Sequence, residues 1–236
     1  MLILRESHRV RGAREDEFEA AVRDAWLPAL AQGDVARLLY FLHHAHGTGI
    51  SYHAVTYTWL RAAAAWGRLA QRVDAGDLAP LQVELDELRY DVEAKLLVPL
   101  PWSPLQEIEI DAVPREPSDH ALSLFMEDTI RPEPGRLEAY VEMAGRQYLK
   151  AYEESFPDTP RLLDIQATFR TAFGSHRRRE ATFLQKVLEP EGLLHPIREE
   201  MPAAFKEPGR YMRDALAVRD QWQSRLLRTA RWSPWH

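Results

Sequence analysis

Four of the nine histidines, His43, His44, His46 and His53, fall between Leu38 and Trp59. The runs around them are rich in Leu, Phe, Tyr, Val and Thr, and Gly47-Thr48-Gly49 separates them, which is the composition of a β-hairpin. Side chains alternate along a strand, so Tyr40, Leu42, His44 and His46 share one face. A two-residue turn at Thr48-Gly49 then sets His44 opposite His53, His46 opposite Ser51 and Tyr40 opposite Tyr57. Directly opposed residues have Cβ atoms about 5 Å apart, near enough for two imidazoles to share a proton or a metal.

Two chemistries suit such a cluster. His44 or His53 can act as a general base near neutral pH, with Tyr40 or Tyr57 donating to a developing oxyanion. Alternatively His44, His46 and His53 can ligate a divalent transition metal through neutral imidazole nitrogens. A three-residue turn would shift the pairing and set His43 opposite His53, so register decides between a site and a packed core.

Composition narrows the field. The formal charge of −6 argues against a phosphate-binding surface, and the absence of cysteine excludes disulfides, thiolate metal sites and a Cys nucleophile. No phosphate loop, dinucleotide fingerprint or Gly-x-Ser-x-Gly elbow is present. With no secretory-type start and no run approaching the roughly 20 apolar residues of a membrane span, a soluble cytoplasmic protein is expected, with no nucleic-acid or membrane partner.

The elements that must position the cluster follow from periodicity. Leu2–Val10 reads as a strand, residues 14–31 as a helix, and the hairpin follows. Residues 60–73 and a segment capped by Asp77 read as helices, and Val92–Leu100 as a strand. The order β-α-β-β-α-β is ferredoxin-like. Residues 105–119 read as a linker, after which the pattern recurs. Residues 120–130 read as a strand, and a helix opened by Pro134-Gly135 carries Leu137, Tyr140, Val141, Ala144, Tyr148 and Tyr152 on one stripe. A strand from Arg161 to Phe173, a turn at Gly174-Ser175 into a strand over 177–183, two helical segments over 187–218 and a last strand over 222–231 complete the second copy. Trp102-Ser103-Pro104 is echoed by Trp232-Ser233-Pro234, Leu96-Leu97 by Leu226-Leu227, and Arg37-Leu38-Leu39 by Arg161-Leu162-Leu163. Matches at corresponding places in successive units indicate duplication. The expected division is 1–104, linker 105–119, and 120–236.

Residues 131–136 (RPEPGR), 47–51 (GTGIS) and 96–104 (LLVPLPWSP) resemble the NIPSNAP family of the dimeric α+β barrel superfamily, once per half. The resemblance implies an α+β fold: two fused ferredoxin-like repeats whose sheets pack face to face as one barrel within the chain. Barrels of this superfamily include cofactor-free oxygenases, isomerases and haem enzymes.

Carrying the alternation of the second half through the Arg-Leu-Leu match puts Leu163, Ile165, Ala167, Phe169, Leu39, Phe41 and His43 under the helices. Asp164, Gln166, Thr168 and Arg170 then face inward with Tyr40, His44 and His46, and Trp59 caps one end. The resulting expectation is acid/base chemistry of oxygenase, isomerase or lyase type on a partly apolar small molecule. His44, His53, Tyr40 and Tyr57 would be catalytic, and Asp164, Gln166, Arg170 and Trp59 would bind substrate. The cofactor is none, or a metal on His44, His46 and His53; haem on His176 or His195 is a further option that nothing in the sequence selects. The rival expectation is a non-catalytic ligand-binding or protein-interaction module. Sheet edges and helix faces leave room for a homo-oligomer.

Overall fold

The computed structural model describes residues 1–154, 162–174, 178–194, 198 and 206–236, with the backbone alone for 149–154. Eight antiparallel strands close a barrel: β1 (Leu2–Val10), β2 (Ala36–His44), β3 (His53–Leu60), β4 (Arg89–Pro99), β5 (Leu124–Pro132), β6 (Leu163–Gly174), β7 (Ala181–Val187) and β8 (Arg219–Thr229). Their order is β1-β3-β2-β8-β5-β7-β6-β4, closed by β4 on β1. Each half supplies one four-stranded sheet, and the β2–β8 and β4–β6 ladders join the halves. A sheet with helices on one face must bury the other; here the two inner faces bury each other.

On the outside, α1 (Glu15–Ala21), a π turn (Val22–Trp26) and α2 (Leu27–Ala31) form one continuous helical stretch. With α3 (Ala63–Ala75) and α4 (Ala79–Leu88) they cover the first sheet through Phe18, Val22, Leu30, Leu38 and Phe41. Asp77 does not cap α4; its carboxylate instead takes the Arg72 guanidinium at 2.6 Å. Helix α5 (Leu137–Glu154) and the short α6 (Tyr211–Asp214) cover the second sheet through Tyr140, Ala144, Tyr148 and Phe183.

The repeated Trp-Ser-Pro motif joins the halves. Ser103 Oγ accepts the Thr168 amide at 2.9 Å, and Ser233 Oγ accepts the Phe41 amide at 3.0 Å. Leu100 N donates to Thr168 O and Ala230 N to Phe41 O, so each motif docks on the second strand of the opposite half. Trp102 Nε1 donates to Val141 O on α5, and Trp232 Nε1 to Glu19 on α1. A Cβ on Gly145 would lie 2.6 Å from the Trp102 ring, so the helix needs glycine where that indole enters. Residues 105–119 are more than a tether, because Leu105, Ile108, Ile110 and Val113 pack into the barrel core.

Candidate functional site

The hairpin pairs are those expected: Tyr40 pairs with Tyr57, Leu42 with Val55 and His43 with Ala54. Continuing it sets His44 beside His53, with ring centroids 5.5 Å apart. The turn is not two residues long, because the strands end at His44 and resume at His53. His46 is therefore on the loop and exposed, and His46 and Ser51 are not a ladder pair. Among the described residues, no group of three His, Asp or Glu side chains gathers to hold a metal ion. His176 and His195, the haem-ligand candidates, lie outside the described residues.

A bulge in each half corrects the face assignments. The β2–β3 register shifts between Leu38 and Tyr40, and the β6–β7 register between Ile165 and Ala167. A bulged strand inserts one residue, so side chains beyond it change face. Leu163 and Ile165 lie under the helices as expected, but Ala167 and Phe169 turn into the barrel, and so does Leu39. Arg170 is consequently outside, where its guanidinium pairs with Glu138 of α5 at 2.9 Å.

The barrel is packed rather than hollow. Leu39, Leu42, Val55, Trp59, Phe125, Phe169, Leu184 and Leu227 fill it, so Trp59 is core rather than cap. At its centre Arg5 donates to both carboxylate oxygens of Glu127, at 2.7 and 2.9 Å, and the Tyr57 hydroxyl donates to the same carboxylate. Burial would raise the Glu127 carboxyl, but the Arg5 charge and the hydrogen bonds from Arg5 and Tyr57 outweigh it and hold it at about 2. Burial and the Glu127 charge push the Tyr57 phenol well above 10. Sequence reading passed over Arg5, Glu127 and Arg225, which stand among other polar residues of their strands (Glu6, Ser7 and His8; Asp128 and Thr129; Ser224) and carry no local signal of a buried pair.

This packing divides the expected single site. Tyr40 and Tyr57 stand four residues from His44 and His53 along the strands, about 13 Å. At one mouth, a pocket of about 460 Å³ is lined by Tyr40, Leu105, Asp164, Gln166, Trp235 and His236, among others. Its apolar walls come from Pro104 and Pro234-Trp235 at the ends of the two halves, from Leu105 of the linker and from Ile165 of β6. Gln166 Nε2 donates to the Asp164 carboxylate at 2.6 Å. Tyr40 packs edge-on against Phe125, Trp235 and Tyr57, at 5.4, 5.7 and 6.1 Å between centroids, and burial raises its phenol pKa. It stays protonated at neutral pH, a donor facing the pocket.

At the other mouth, the loop 45–52 roofs a pocket of about 370 Å³ whose lining includes His44, Gly49, Glu15, Asp16 and Glu19. A Cβ at Gly49 would lie 2.4 Å from His44 Nδ1, so only glycine lets the loop rest on the imidazole. Both ring nitrogens of His44 are buried without a hydrogen-bond partner. Burial, then the Arg225 and His53 charges, lower His44 to about 4, and burial and Arg225 lower His53 as well. His43 points outward to α1, with Nε2 2.7 Å from Glu19 Oε2.

No protein-family model and no curated protein matches the sequence. Among solved structures, an anthrone oxidase-like protein aligns over 97% of this chain and 91% of its own, with a TM-score of 0.59 and 9% identity. A Lactobacillus acidophilus protein described as a "putative monooxygenase" aligns over 96% and 92%, with a TM-score of 0.55 and 9% identity. The fold is a tandem dimeric α+β barrel. A NIPSNAP domain protein from Burkholderia xenovorans is also similar, at 19% identity over 44% of this chain and 100% of its own, with a TM-score of 0.39. Among the described residues, no helix is long and apolar enough to cross a membrane.

Proposed function

We propose that the protein acts on a partly apolar, planar small molecule in the Tyr40 pocket, abstracting a proton from a carbon whose charge delocalises through the ring system onto a carbonyl oxygen. The observation that carries this reading is the composition of the pocket. A neutral phenol donor and an oriented carboxylate converge between apolar walls of Leu105, Pro234 and Trp235. Few polar groups in a mostly apolar concavity are the usual make-up of a small-molecule site. Asp164 takes the proton, Gln166 holds its carboxylate, and the Tyr40 hydroxyl donates to the enolate oxygen that forms. The whole-chain resemblance to an anthrone oxidase-like protein suggests anthrone as the first substrate to try.

The test is deuterium exchange at the anthrone methylene, followed by NMR without oxygen so that abstraction is read by itself. Wild type should exchange faster than buffer. Asp164→Asn should abolish the acceleration, and Tyr40→Phe should lower it by about 10²–10³-fold, the usual effect of removing an oxyanion donor. Exchange no faster than buffer, or unaffected by Asp164→Asn, refutes the assignment. Saturable binding without exchange would favour a ligand-binding module instead.

A further inference from the structure

The second mouth carries a separate reading, drawn from comparing the two halves. Arg5 pairs with Tyr57 and Lys95, and Glu127 pairs with Leu184 and Arg225. Arg5 and Glu127 are thus equivalent positions, and so are Lys95 and Arg225. One step beyond the paired ends of each hairpin, Thr171 N donates to Glu180 O at 3.0 Å, so Thr171 and Glu180 occupy the places of His44 and His53.

The equivalent ends differ in where their carboxylates stand: Glu180 takes the place of His53, while Gln221 and Gln223 take those of Asp91 and Glu93. Glu180 is fully buried; its carboxylate pairs with the Lys95 ammonium and lies 3.1 Å from Arg131 Nε. At the histidine end, an imidazole replaces that carboxylate. The one carboxylate within 4.0 Å of Arg225 among the described residues is Glu127, already held on both oxygens by Arg5. Beside it, His44 keeps two buried nitrogens without partners. We propose that His44, His53 and Arg225 form a binding site for the carboxylate of a small monoanionic ligand, seated where the Glu180 carboxylate sits in the other half.

The surrounding charges select the ligand. Neutral imidazoles each offer one N–H, and Arg225 supplies the counter-charge for a single carboxylate. Glu15, Asp16 and Glu19 line, together with Arg228, the adjoining pocket that shares His44, and Asp91 and Glu93 lie near His53 with Arg9. These carboxylates repel a second negative charge, so a dianion or a phosphate is disfavoured. Entry requires the loop 45–52 to lift from His44. The proposal does not depend on chemistry at Tyr40.

Benzoate, its neutral isostere benzamide and the dianion phthalate are the probes, titrated calorimetrically and by histidine C2–H NMR. Benzoate should saturate and shift the His44 and His53 resonances, at least about tenfold more tightly than benzamide or phthalate. Arg225→Gln should weaken it by about tenfold or more. His53→Glu should abolish it while keeping the melting temperature, because the new carboxylate fills the seat that Glu180 fills in the other half. Tyr40→Phe should leave benzoate binding unchanged, so this reading and the one at Tyr40 fail separately. Three results overturn it: no saturation by about 10 mM, equal binding of benzamide, or undiminished binding in a folded His53→Glu protein.

Discussion

Replacing Glu127 by Gln tests the centre of the barrel. Its carboxylate is 1% exposed and takes two hydrogen bonds from Arg5 and one from Tyr57. Gln keeps the shape but removes the charge, leaving a buried guanidinium without its counter-ion. Breaking one partner of such a pair costs about 3–5 kcal/mol. Proton linkage leads to a similar size: a carboxyl held at about 2 instead of 4.5 corresponds to roughly 3 kcal/mol. Because the folded value is depressed, this stabilisation is fully present above about pH 4.5 and is lost as pH falls toward 2. Urea unfolding at pH 7 should show the full loss in Glu127→Gln, with a melting temperature lower by roughly 10 °C. The gap from wild type should narrow as the pH is lowered to about 2. The double variant Arg5→Met/Glu127→Leu should lose much less than the sum of its singles, since a packed apolar pair replaces the ions. A loss below about 1 kcal/mol at pH 7, or simple additivity in the double variant, would refute the argument.

Other outcomes follow from single contacts. Ser233→Ala removes the acceptor for the Phe41 amide and should cost about 1–3 kcal/mol in urea unfolding, as should Ser103→Ala at Thr168. Gly49→Ala should displace the His44 ring, shifting its C2–H resonance and costing about 1 kcal/mol or more. Burial raises Asp128 to about 6 against hydrogen bonds from Ser224 and Gln185, so its effect runs opposite to that of Glu127. Its folded value exceeds the unfolded one, so it lowers stability as pH rises from 3.8 through about 6. Asp128→Asn should flatten the stability profile over that interval; an unchanged slope would contradict the burial argument.

The order of elements and the duplication were legible in the chain because each rests on local periodicity or on a motif repeated at equal intervals; the pairing of His44 with His53 was expected from a two-residue turn and is reached instead through a longer loop. Trp-Ser-Pro announced the repeat, yet its task, a serine hydroxyl satisfying an amide of the opposite half, joins residues far apart in sequence and is invisible until the barrel closes. The bulges at Leu39 and Gln166 were also hidden. A one-residue slip arises from how twisted strands meet around a barrel, and it moved Arg170 outside and Phe169 inside. The charge partners Arg5 and Glu127 look like ordinary strand polar residues until two inner faces bring them within 2.7 Å. Local sequence therefore determined the order of strands and helices and the repeat that relates the two halves. Closure of one sheet on the other decided what those side chains meet, because burial, counter-charge and cavity shape belong to the pair of faces rather than to either alone.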